Sequence, residues 1–345
     1  MPIFLALLSH YQYYGESWDI GTSSLLLWAL DIAPSTDTFW TSDNGNVATT
    51  MGGCDRKGCP PDHSDTGSEL HTILAIMSMG PVGFSDAAGE TNVPRIMKTC
   101  RADGVLLQPN KPLTTFDAHL DRRWRILQTY SGPIQSSSNR SYRHKDYGTP
   151  EVWAYYVVAH RLTELPNQQL SVPLSDLWPH PPSDSELFIV WNHDAAACKL
   201  DGASADQCGE FVTAGEDQLY FLEESDDYES VRATIFPTMS CPQAGAATSN
   251  NDSIWVLLGE IEGKYVSVSR QRFRDVACTE DGLLEFTVLV APGEMVTVSA
   301  INGGKVWVRS YSNTKTPGCA SQIEDLQAVS LSFGRPSKAS GQIMS

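Results

Sequence analysis

Apolar positions in this chain follow two different periods. In the first third they recur at helical spacing between short strand-like runs. Leu70, Ile73, Leu74 and Met77 stand at i, i+3, i+4 and i+7 of segment 68–79, the stripe of an amphipathic helix. Ser68 is a candidate N-cap and Gly80 a C-terminal stop. On either side lie Thr38-Phe39-Trp40-Thr41-Ser42-Asp43 and Gly80-Pro81-Val82-Gly83-Phe84-Ser85-Asp86, aromatic and β-branched runs that favour buried strands. Both end in Ser-Asp before small, loop-forming residues. Strand, helix and strand with an acid after each strand predict a parallel βα unit, whose chemistry sits in the loops at that end. Segment 3–8 predicts another interior strand. Segment 25–30, apolar all round, predicts a buried helix stopped by Pro34. Thr91 or Asn92 with Pro94 opens a short helix whose apolar side is Ile96, Met97 and Cys100.

From about Arg140 the period changes to that of strands. Apolar and β-branched runs recur at 152–158, 187–191, 219–222, 254–258, 265–268, 284–290, 296–300, 305–309 and 328–333. Gly, Pro, Asn and Asp separate them, and Asn302-Gly303-Gly304 reads as a hairpin turn. This predicts an all-β domain, a sandwich. The expected organisation is an α/β portion over residues 1–138 and a β domain over 139–345.

The run from Leu74 through Gly80-Pro81-Val82-Gly83-Phe84-Ser85-Asp86 resembles the last helix and eighth barrel strand of α-galactosidases and raffinose synthases (seed imbibition proteins). Segment 95–107, with Asp103-Gly104 before Val105-Leu106-Leu107, is similar to that family's passage out of the barrel. The resemblance implies the C-terminal part of a (β/α)8 TIM-type barrel followed by an antiparallel β-sandwich. It also implies a glycoside hydrolase-like protein acting on or binding α-galactosides, by hydrolysis or galactosyl transfer. Trp40-Thr41-Ser42-Asp43-Asn44 resembles the sixth-strand motif, which makes Asp43 the general acid/base. Asp37-Thr38-Phe39-Trp40 also resembles the seventh-strand Asp-x-Phe of the raffinose synthase type, and that register is the favoured one, because only one helix separates this strand from segment 80–86. In that register the acid/base is expected just after Ser9, where His10, Tyr11 and Gln12 stand. The family's Lys-x-Asp nucleophile motif does not precede Trp40. The chain is therefore expected to be a C-terminal portion lacking the nucleophile that retaining hydrolysis requires. The alternative is a non-catalytic carbohydrate-binding or structural remnant.

The candidate site follows from these residues. Asp43 is the catalytic candidate, with Asp86, Trp40 and Trp18 as substrate-binding residues. Neighbouring parallel strands lie about 4.8 Å apart, so acids at the same level can share the hydroxyls of one sugar while an indole takes its apolar face. Equally, acids after strands can cap a loop or a helix start. Gly83-Phe84-Ser85-Asp86-Ala87 approaches a serine-hydrolase elbow but lacks its last glycine. His71 is given no role.

Composition narrows the partners. The 345-residue chain carries a net charge of −17, which argues against nucleic acid, because phosphate binding needs a basic face. No apolar run reaches membrane-spanning length, and no cofactor motif is present. Eight cysteines and the sequons at Asn139 and Asn251 point to disulfides and a secreted, lumenal or vacuolar protein. Cys54 with Cys59, and Cys198 with Cys208, are the expected local pairs. Cys54, Cys59 and His63 could instead donate to zinc, but no second cysteine pair completes the set. No metal is expected, and the oligomeric state is left open.

Overall fold

The computed structural model describes residues 20–34, 39–41, 68–86, 88–116, 124–134, 152–161, 170–172, 176–179, 187–193, 210–213, 219–221, 230–241, 253–279, 282–314 and 326–333. Among the described residues three short helices precede the strands: α1 (Ile20–Ala29), α2 (Ser68–Met77) and α3 (Val93–Met97). Asn92 caps α3 through its side chain, which accepts the Arg95 N–H at 3.1 Å, and proline stands in the first turn.

Antiparallel sheets carry the fold. The largest has six strands in the order β1 (Thr114–Thr115), β2 (Trp124–Ile134), β3 (Val152–Arg161), β8 (Ser230–Pro237), β5 (Leu187–Asn192), β6 (Glu210–Thr213). A second, of four strands, runs β14 (Lys305–Ser312), β13 (Met295–Asn302), β10 (Ser253–Gly259), β9 (Met239–Cys241). A third consists of β11 (Phe273–Cys278), β12 (Leu284–Val290) and β15 (Gln327–Ser332), and β4 (Leu170–Val172) pairs with β7 (Leu219–Phe221).

Side chains alternate across each strand, and the register of the six-stranded sheet keeps its faces apart. Leu127, Ala154, Tyr156, Val158, Ile189, Trp191 and Phe236 point into one core, shared with β10, β12, β13 and with Ile73, Leu74, Ile76 and Met77 of α2. Ile126, Tyr130, Tyr155, Val157, Phe188 and Ile235 line the opposite face, covered by Phe116 and Leu177. Sheets stacked over a common core in this way make a sandwich arrangement.

The expected TIM-type barrel portion is not what the chain forms. Among the described residues the runs at 38–43 and 80–86 meet in a single parallel bridge, Phe39 with Phe84, supported by the Ser85 N–H donating to the Phe39 carbonyl at 2.9 Å. Every named ladder is antiparallel. The composition of the second run explains the difference: Pro81 has no N–H to donate, and Gly80 and Gly83 lack side chains to pack. Helix α1 also departs from expectation, since Leu26 and Leu30 are more than 60% exposed. The predicted strand at 3–8 lies outside the described residues.

A buried ionic knot holds the α-helical segment to the sheets. The fully buried Arg272 guanidinium donates to Glu260 at 2.7 Å and to both oxygens of Glu294 at 2.8 and 2.6 Å, and reaches the Leu289 carbonyl. Glu294 also accepts the Ala102 N–H at 3.2 Å. Lys264 donates to the carbonyls of Met97 and Cys100, and Arg101 to that of Gln271. A disulfide, Cys241–Cys278, ties β9 to β11, while Cys100 is a free, buried thiol. The cysteine pairs expected from sequence lie outside the described residues.

Candidate functional site

Of the sequence-derived site residues, Trp40 and Asp86 are described, whereas Asp43 and Trp18 lie outside the described residues. Asp86 is engaged locally. One carboxylate oxygen accepts the Thr41 N–H at 2.8 Å and the other the Thr41 hydroxyl at 2.7 Å. The Thr41 hydroxyl in turn accepts the Asn92 N–H at 2.7 Å, and Arg95 donates to the Thr41 carbonyl. Asp86 thus links to Thr41, whose hydroxyl also reaches the N-cap residue Asn92 of α3. Trp40 is half-buried beside this link, and the His71 ring tilts against Phe39 at 5.9 Å.

A second cluster lies where α2 and the turn after α3 meet the sheets. The Tyr265 hydroxyl donates to Glu69 at 3.3 Å, and Lys98 pairs with the same carboxylate at 3.6 Å. Lys98 and Arg232 both approach the Tyr265 ring, at 5.4 and 5.2 Å. Burial raises the Tyr265 phenol, and the Glu69 charge adds to the shift. His193 shares a 2.8 Å hydrogen bond with Thr234, and burial together with Arg232 and Lys98 holds its imidazolium form well below the usual range. These contacts weld two parts of the chain.

The third cluster lies at the partly buried rim of the second core. On the face of the six-stranded sheet that Phe116 and Leu177 cover, Trp153 and Tyr155 stand two residues apart on β3 with rings only 9° from parallel at 6.4 Å. Tyr130 on β2 sits 5.7 Å from Trp153 and meets Trp178 edge-on at 5.2 Å. Trp178 is placed by Gln128, whose side chain accepts the Trp178 N–H at 3.0 Å and donates to the Asp176 carbonyl at 2.9 Å. Lys111 lies between two indoles, 4.5 Å from Trp178 and 4.4 Å from Trp28 of α1, a cation held by ring quadrupoles. Its backbone is pinned by the Thr129 hydroxyl. Trp153 and Trp178 are half-buried and Trp28 is 37% exposed. Arg270 flanks the group, donating to the Gly132 and Pro133 carbonyls at 3.2 Å. Burial raises the Tyr130 phenol despite Arg270.

The sequence reading missed this cluster. The alternation Trp153, Tyr155 and Val157 against Ala154, Tyr156 and Val158 is a readable signal that one strand face is aromatic. Nothing local in the sequence brings Trp178, Lys111 and Trp28 to it. Among the described residues, no three His, Cys, Asp or Glu side chains are grouped to hold a metal ion, and no helix is long and apolar enough to cross a membrane. Compared with known proteins, the chain matches no family model and no curated sequence.

Proposed function

We propose that this chain binds an α-galactoside-type oligosaccharide without cleaving it. The observation that carries the reading is the partly buried aromatic cluster of Trp153, Trp178 and Trp28 with Lys111 among them. Pyranose C–H faces pack on indoles, and an ammonium donates to sugar hydroxyls. The resemblance of segment 74–107 to α-galactosidases and raffinose synthases supplies the sugar class. The gathered groups are indole, phenol, ammonium and guanidinium. They recognise a sugar but provide no pair of carboxylates about 5–5.5 Å apart, the requirement of retaining hydrolysis.

Titration calorimetry of the full chain with melibiose and raffinose tests this, alongside an assay for released galactose. Binding without galactose release is expected, with Trp153→Ala and Trp178→Ala each weakening it roughly tenfold, the factor that about 1.4 kcal/mol of lost stacking gives. Absence of binding, or binding unchanged in both variants, removes the reading. Galactose release would replace it with catalysis.

A further inference from the structure

Two cations at the aromatic cluster have no counter-ion. The Lys111 ammonium lies 4.4 Å from the ring centre of Trp28 and 4.5 Å from that of Trp178. Among the described residues no carboxylate pairs with it and no oxygen accepts its N–H groups. An ammonium carries three donors, and ring quadrupoles hold its charge in place without supplying an acceptor. The exposed Arg270 is in the same condition. Its Nη2 donates to the Gly132 and Pro133 carbonyls, each at 3.2 Å, which leaves Nε and Nη1 without an acceptor among the described residues.

Both cations are fastened to one stretch of β2. The Thr129 hydroxyl donates to the Lys111 carbonyl, and the Asn110 N–H donates to the Tyr130 carbonyl at 2.8 Å. The Asn110 side chain then meets Arg270 at the Gly132 carbonyl, to which both donate. Lys111 and Arg270 therefore flank the part of β2 from which Tyr130 joins the cluster. A shortage of acids does not explain two unpaired cations, since the chain has 41 acidic against 24 basic side chains. Elsewhere cations take acids: Arg101 takes Asp103, Lys98 takes Glu69, and Arg272 takes both Glu260 and Glu294.

We infer that the sugar bound at this cluster carries an anionic group, a carboxylate or a sulfate ester, which Lys111 and Arg270 hold. The inference rests on the carbohydrate-binding reading and narrows it to acidic α-galactosides. A fixed ammonium and a free guanidinium edge are the donors that suit such a group. Hydrogen bonds with an ionised partner on each side are roughly twice as strong as those between neutral groups. The distant acids of the chain oppose an anion only weakly, because at about 0.15 M salt exposed charges more than roughly 8 Å apart are largely screened.

Calorimetric titration of the full chain with three α-linked disaccharides tests this: galactobiose, digalacturonate and a sulfate ester of galactobiose. At least one acidic sugar should bind about tenfold to a hundredfold tighter than galactobiose, the range that a charge-assisted hydrogen bond gives. Whichever does so identifies the anionic group. Lys111→Met keeps an apolar stem between the indoles without the charge and should cut that preference about tenfold. A preference unchanged in Lys111→Met overturns the inference. If that variant does not fold, Arg270→Gln at the exposed position takes its place, with the same two outcomes. Galactobiose binding as tightly as both acidic sugars overturns the inference but leaves the carbohydrate reading standing. Binding of none of the three overturns both.

Discussion

Replacing Arg272 by Met leaves two buried carboxylates without their cation. The guanidinium makes four hydrogen bonds, three of them to Glu260 and Glu294. Hydrogen bonds to charged groups contribute roughly 1.5–3 kcal/mol each, but adding them ignores the desolvation already incurred by all three ions. Breaking a buried pair by removing one partner costs about 3–5 kcal/mol, so a loss of about 4 kcal/mol is expected at neutral pH. The pH dependence is sharper than the magnitude. In the native chain burial raises the Glu260 carboxyl, with Arg272 only partly opposing it. Burial pushes Glu294 the same way, but the Arg272 bonds and the Ala291 N–H outweigh it and hold that carboxyl low. Glu294 thus stabilises the fold above its unfolded value of about 4.3 and loses that contribution as pH falls through its lowered folded value. Glu260 works in the opposite direction, destabilising increasingly as pH rises from about 4.3 to its raised value. Without Arg272 both carboxyls are raised, and acidification from about pH 7 to about pH 5 should stabilise the variant. Urea unfolding at both pH values measures this, and Glu260→Gln with Glu294→Gln should recover most of the loss. A loss below about 1 kcal/mol at neutral pH, or a variant weaker at the lower pH, would refute the argument.

Other outcomes follow from single positions. Gly259 has φ +69°, and a Cβ there would lie 2.1 Å from the Ser267 carbonyl oxygen. Gly259→Ala should cost more than about 3 kcal/mol, read as a drop in urea midpoint. The Cys241–Cys278 bridge closes a separation of 37 residues, for which chain entropy gives about 4 kcal/mol. Reductant and the Cys241→Ala/Cys278→Ala pair should lower the midpoint by the same amount. His193, held below the usual imidazole range by burial, Arg232 and Lys98, contributes stability above about pH 6.5 that fades as pH falls. His193→Gln should flatten the stability profile between about pH 7.5 and 5.5.

Local patterning made much of the β region legible. Segment 284–290 coincides with β12, and the Asn302-Gly303-Gly304 turn joins β13 to β14 with both glycines at positive φ. Alternation and turn chemistry are local, so sequence reports them well. Segment 265–268 shows the limit. Its apolar residues are buried, but Tyr265 bonds to Lys98 and Glu69 and Val268 to Tyr156, so it packs as a bend rather than a strand. β2 was not anticipated at all, because Gln128, Thr129 and Ser131 break its apolar alternation. Gln128 turns out to hold Trp178 in place. The site was less legible still. Asp86 was read as a sugar ligand from its place after a strand, and its bonds to Thr41, 45 residues earlier in the chain, could not be read from the sequence. Lys111 and Trp28 become neighbours only because α1 lies beside β1, where Ser24 donates to the Leu113 carbonyl at 3.1 Å.

The carbohydrate-binding claim is tested most directly by indole N–H resonances. In a two-dimensional nitrogen–proton spectrum of the full chain, the Trp153 and Trp178 cross-peaks can be assigned by their loss in Trp153→Phe and Trp178→Phe. Titration with raffinose should shift both in parallel along one saturating isotherm, while Trp255, buried with its indole N–H bonded to the Gly282 carbonyl at 2.9 Å, stays still. Shifts absent from Trp153 and Trp178 at saturating sugar, or confined to other tryptophans, would contradict the account.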